Sequence, residues 1–73
     1  MHLRPLDVVR ITQLITPTRP IDGTPGALRQ PRVGDVGAIV NVLDAQTFTV
    51  ECVDAAGLTS WLADFRLEEL EKP

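Results

Sequence analysis

The chain has 73 residues, of which 44% are apolar and 23% charged, and its formal net charge is −3. That length makes one domain, and a domain this small buries only about 60% of the surface its unfolded chain exposes. With one cysteine and one histidine, neither a disulfide framework nor a metal site reinforces it, which leaves good packing or self-association. The negative balance also argues against nucleic-acid binding, which is driven by neutralising phosphates.

The charge is uneven along the chain. Residues 1–37 carry five arginines and three aspartates; residues 38–73 carry two basic and seven acidic side chains. No apolar run approaches the roughly 20 residues of a membrane span. Met1-His2-Leu3-Arg4-Pro5 lacks the apolar core of a signal peptide, and the single thiol fits a reducing compartment. The expected location is cytoplasmic.

Leu6-Asp7-Val8-Val9-Arg10-Ile11 reads as the first strand, with Val9 and Ile11 on one face and Val8 and Arg10 on the other. Residues 12–33 differ in kind. Pro17, Pro20, Pro25 and Pro31 recur with Gly23 and Gly26 between them, and no period of 2 or 3.6 survives. A loop of this length inside a compact domain usually signals function or disorder. It reads as an excursion between the first two strands, anchored by Ile15, Ile21 and Leu28 and rich in arginine (Arg19, Arg29 and Arg32).

Gly34 and Gly37 bracket a turn into the second strand, where Ile39 and Val42 are expected to point inward and Asn41 outward. Asp44-Ala45-Gln46 leads to the third strand, the cleanest alternation in the chain. Phe48, Val50 and Cys52 share one face and Thr47, Thr49 and Glu51 the other. Asp54-Ala55-Ala56-Gly57 is a second turn, with Gly57 at the position needing positive φ. The fourth strand, Leu58 to Phe65, is apolar on both faces; Trp61 and Phe65 are assigned to one and Leu62 to the other. Arg66-Leu67-Glu68-Glu69-Leu70 fits a 3₁₀ turn whose Leu67 and Leu70 plug one end of the core. A short fifth strand around Leu70-Glu71-Lys72 follows.

This order is that of an all-β, SH3-like, five-stranded, partly open barrel with a long Pro-rich loop between strands one and two. Val33-Gly34-Asp35-Val36-Gly37-Ala38-Ile39-Val40 resembles the Gly-x-x-Gly-x-Val lead-in of KOW-type barrels. Phe65-Arg66-Leu67-Glu68-Glu69-Leu70-Glu71 resembles the closing segment of the variable chain of ferredoxin–thioredoxin reductase and of a small stromal subunit of photosystem I. Asp7-Val8-Val9 and Val50-Glu51-Cys52-Val53-Asp54-Ala55-Ala56-Gly57-Leu58-Thr59 are similar to a pattern in a family of small, uncharacterised bacterial SH3-like domains. The resemblance implies the barrel fold and says little about role, because this barrel hosts many tasks. Its loop, residues 12–32, is longer and richer in proline than in that family.

Chemistry finds few footholds. Ser60 is the only serine and His2 the only histidine, so no nucleophile, base and orienting group line up. Cys52 falls beside Phe48 and Val50 and reads as a small core hydrophobe. Glu68, Glu69 and Glu71 read as a solvated acidic face, and Asp35, Asp44 and Asp54 as turn residues bonding their local backbone. No cofactor or metal is implied. The leading expectation is a non-enzymatic protein–protein interaction module that self-associates, with Trp61, Leu62 and Val8 as contact residues and Arg19, Arg29 and Arg32 as a second surface. An exposed Trp is a frequent interface anchor, and either Trp61 or Leu62 must lie near the surface. The alternative is a KOW- or Tudor-like nucleic-acid module using the loop arginines.

Overall fold

A computed structural model describes residues 2–73. Five strands form one antiparallel sheet in the order β4-β3-β2-β1-β5. They are β1 (Val8–Ile11), β2 (Val36–Asp44), β3 (Thr47–Val53), β4 (Thr59–Arg66) and β5 (Leu70–Glu71). The chain leaves β4 through a 3₁₀ turn at Leu67–Glu69 and enters β5, which pairs with β1 at the opposite edge. The two edge strands are therefore consecutive in sequence, and the sheet curls into a partly open SH3-like barrel.

Side-chain alternation decides what fills it. Val9 and Ile11 of β1, Ile39 of β2, Phe48, Val50 and Cys52 of β3, Trp61, Ala63 and Phe65 of β4, and Leu70 of β5 join Leu3 in one buried cluster. Leu67 is half-buried against it. The Trp61 and Phe65 rings meet at 5.2 Å between centroids and 51° between planes, an arrangement aromatic quadrupoles favour. Leu62 lies on the other face of β4, as its spacing predicts.

Val42 keeps its expected inward phase, opposite Phe48, although it is 37% exposed. The register irregularity between Ile39 and Asn41 inserts one residue, which is why Ile39 and Val42, three apart, face the same side; a second lies between Val42 and Asp44. One expectation in β2 changes. Gly37 is inside the strand rather than at the turn. A Cβ there would stand 2.5 Å from the Glu51 carbonyl oxygen, so its role is to let β2 approach β3. Gly34, with φ of 95°, makes the turn itself.

The loop before β2 is fastened along its length. Asp22 exchanges two backbone hydrogen bonds with Leu62, the Thr24 N–H donates to the Thr59 carbonyl and the Arg29 N–H to that of Ser60. It therefore covers the free edge of β4, which strand edges need. Of the three expected anchors only Ile21 is packed on the core; Ile15 and Leu28 are exposed, and Leu14 takes part instead.

Candidate interaction surface

The loop is held mainly by two carboxylates that receive arginines. Arg19 reaches back to the 3₁₀ turn, where its Nη1 and Nη2 donate to the two oxygens of Glu69 at 3.1 and 2.6 Å. Both side chains are buried, at 8% and 2% exposed. The N–H groups of Ile15 and Arg66 also donate to Glu69, so the carboxylate accepts four bonds, the capacity of its lone pairs. The guanidinium carbon of Arg19 lies 4.2 Å from the Phe65 ring centre, a cation–π contact. Burial alone would raise the Glu69 pKa. The bonds from Arg19 and from the Arg66 and Ile15 N–H groups outweigh it and hold the carboxyl below its usual 4.5.

Asp35 repeats the pattern at the loop's far end. Arg29 donates to both of its oxygens at 2.8 and 3.1 Å, the Arg32 N–H donates at 2.9 Å and Trp61 Nε1 at 3.0 Å. Here too burial pushes the pKa up, and Arg29, the Arg32 N–H and Trp61 together bring it below 3.8. Asp35 thus satisfies the one polar atom of the fully buried indole, whose N–H needs a partner.

These pairings redraw the predicted surface. Trp61 is 0% exposed, so it is not an interface anchor: its ring fills the barrel and its N–H is spent on Asp35. Arg19 and Arg29 serve the interior, while Arg32 is exposed. Glu69 leaves the supposed solvated face and becomes a buried ligand of Arg19. Arg10–Glu71, Arg66–Glu68 and Lys72–Asp7 are exposed ion pairs, worth little individually. Among the described residues, Arg4 and Arg32 are the basic side chains outside any ion pair.

Val8 and Leu62 lie at the two ends of one cross-sheet row. The register sets Val8 opposite Ala38, Ala38 opposite Glu51, and Glu51 opposite Leu62, one row across the outer face of four strands. Val36 on β2 and Val53 on β3 stand two positions along from that row on the same side, and both are exposed. Sequence reading missed Val36 and Val53; their alternation with Ile39 and Cys52 was the signal that marks them as outward.

Two open hollows of about 300 and about 260 Å³ flank Arg19. Thr49, Asp22 and Asp64 line the first; Thr16, Thr47 and Glu69 line the second. In the first, the Thr49 hydroxyl donates to an Asp64 carboxylate oxygen at 2.7 Å on an exposed strand face. Burial, and after it the nearby Asp35 charge, raises the Cys52 pKa, which favours the protonated thiol. Among the described residues no group of three His, Cys, Asp or Glu side chains is placed to hold a metal ion, and no helix is long and apolar enough to cross a membrane. No family model, no curated protein and no solved structure matches the chain.

Proposed function

We propose that the protein is a non-enzymatic protein–protein interaction module, self-association included, that works in the cytoplasm. The observation that carries this reading is the outer face of β1, β2 and β3, where Val8, Val36 and Val53 are exposed around one cross-sheet row. Exposed apolar side chains gathered on one face mark a contact site. Leu62 extends the row at one end, and the Arg10–Glu71 pair stands at its polar margin. A reducing cytoplasm suits the unpaired, buried thiol of Cys52. The similarity of residues 7–9 and 50–59 to small bacterial barrel domains belongs to the same proposal.

The test is quantitative co-purification with tagged wild-type chain and with a Val8→Lys/Val36→Lys variant. The wild type is expected to retain a defined protein, its own untagged copy included, that the variant releases. Equal retention by both, or none by either, sinks the reading. Mobility shift with RNA and DNA at two salt concentrations checks the nucleic-acid alternative; affinity that falls steeply with salt would move the assignment there.

A further inference from the structure

β1 covers only part of β2. It pairs Val8, Val9 and Arg10 with Ala38, Gly37 and Val36, and the last bonds on that side join Ile39 to Leu6 and Asp7. β2 then runs on to Asp44, paired with β3 alone. Among the described residues, no backbone hydrogen bond reaches Val40 to Leu43 from the side that β1 occupied. All four residues are exposed, although three of them are apolar. Open edges are ordinarily blunted by lysine, proline or an inward-pointing charge. The stretch from Gly37 to Leu43 contains neither charge nor proline; register irregularities fall between Ile39 and Asn41 and between Val42 and Asp44, and Val42 is the regular ladder position that follows the first.

We propose that this edge pairs with the same edge of a second copy, antiparallel about a two-fold axis, with Val42 opposite Val42. The proposal rests on the interaction reading above and names its surface and its partner. An antiparallel pair of identical segments is reciprocal, so each copy satisfies the other's free backbone groups through one isologous contact. Centred on Val42, the register sets Asn41 against the second copy's Leu43 and Val40 against its Asp44, with no like charges opposed.

The surroundings fit the same occupant. The second copy's hairpin tip, Asp44 to Gln46, lands on the turn from Arg4 to Asp7 that ends β1. That turn carries Leu6, at 82% the most exposed large apolar side chain among the described residues, together with the exposed Arg4, outside any ion pair among them. Asp44 is likewise exposed and unpaired with any cation among them. The pairing brings opposite charges together and covers Leu6. A foreign strand would meet the same backbone groups without this reciprocal match. With so short a ladder, the interface belongs to the class below about 1,200 Å², which associates weakly.

Sedimentation equilibrium across the micromolar to millimolar range tests the proposal. Wild type is expected to dimerise reversibly. Val42→Lys, which faces lysine with lysine across the axis, should weaken the dimer at least about tenfold. Ala56→Lys, the same charge change on the other hairpin turn, should leave it intact. In a Cys52→Ala background, Val42→Cys should cross-link as a dimer under mild oxidation. The near-ultraviolet signal of Trp61 confirms that each variant is folded. A dimer that survives Val42→Lys but is lost in Val8→Lys overturns edge pairing while the outer-face reading stands. A wild type monomeric throughout overturns the self-pairing, and co-purification then decides the interaction reading by itself.

Discussion

Two acidic residues do more for this domain than their number suggests. Asp35 accepts four hydrogen bonds, two from Arg29, one from the Arg32 N–H and one from Trp61. Asp35→Ala strands a half-buried guanidinium and a buried indole N–H, an expected loss of about 3 kcal/mol. A 73-residue domain holds roughly 4–11 kcal/mol in total at 0.05–0.15 kcal/mol per residue, so the urea midpoint should fall by a large fraction. Leu6 makes the opposite case. It is the one non-glycine residue with positive φ, at 74° among the described residues, in a turn closed by the Asp7 N–H on the Arg4 carbonyl. A left-handed conformation costs an L-residue about 1–2 kcal/mol, and glycine gives back part of that through a more flexible unfolded chain. Leu6→Gly is expected to stabilise the monomer by about 0.5–1 kcal/mol. A urea midpoint that stays or falls, measured where the chain is monomeric, would show that the turn is unstrained.

Among the elements, the loop of residues 12–33 is the one that physical pairing transforms. Its prolines and missing periodicity read as an excursion, which it is. Its order comes from contacts that no local pattern carries: Arg19 on Glu69, 50 residues away, and Asp22 beside Leu62 in β4. Arg19→Met leaves the Glu69 carboxylate buried without its cation, an expected cost of about 3–5 kcal/mol. The loop should then become open to trypsin at Arg29 and Arg32 under conditions where wild type resists. Adding Glu69→Leu removes the stranded charge, and the double variant should recover most of the stability, since apolar pairs of similar volume replace buried ion pairs at little cost. A double variant as unstable as Arg19→Met would mean that Glu69 matters through its bonds to Ile15 and Arg66 instead.

For the molecule as a whole, the same carboxylates set the response to acid. Asp35 and Glu69 both titrate lower in the folded chain than their ordinary values of 3.8 and 4.5. Each therefore adds stability that is complete above its unfolded pKa and is lost as pH falls through its lowered folded pKa. Denaturant midpoints should stay level from pH 7 down to about 5 and then fall steeply. Asp35→Asn should flatten that fall as well as lower the neutral-pH midpoint. A wild-type midpoint independent of pH between 5 and 3 would contradict the two clamps.

What the sequence determined by itself is the sheet. Val9 and Ile11, then Phe48, Val50 and Cys52, repeat at the period of a strand, and burial on one face follows from backbone geometry. The turns at Gly34 and Gly57, the 3₁₀ turn at residues 67–69 and the opposition of Trp61 to Leu62 followed from equally local rules. Tertiary structure alone decided which polar groups meet. Whether Glu69 faces water or Arg19, whether Asp35 receives an indole besides its local backbone bond, and which half of β2 lacks a neighbour all depend on segments distant in sequence. Hydrogen bonds and ion pairs are set by where the fold places both partners. The inward phase of a strand is carried by each residue and its neighbours.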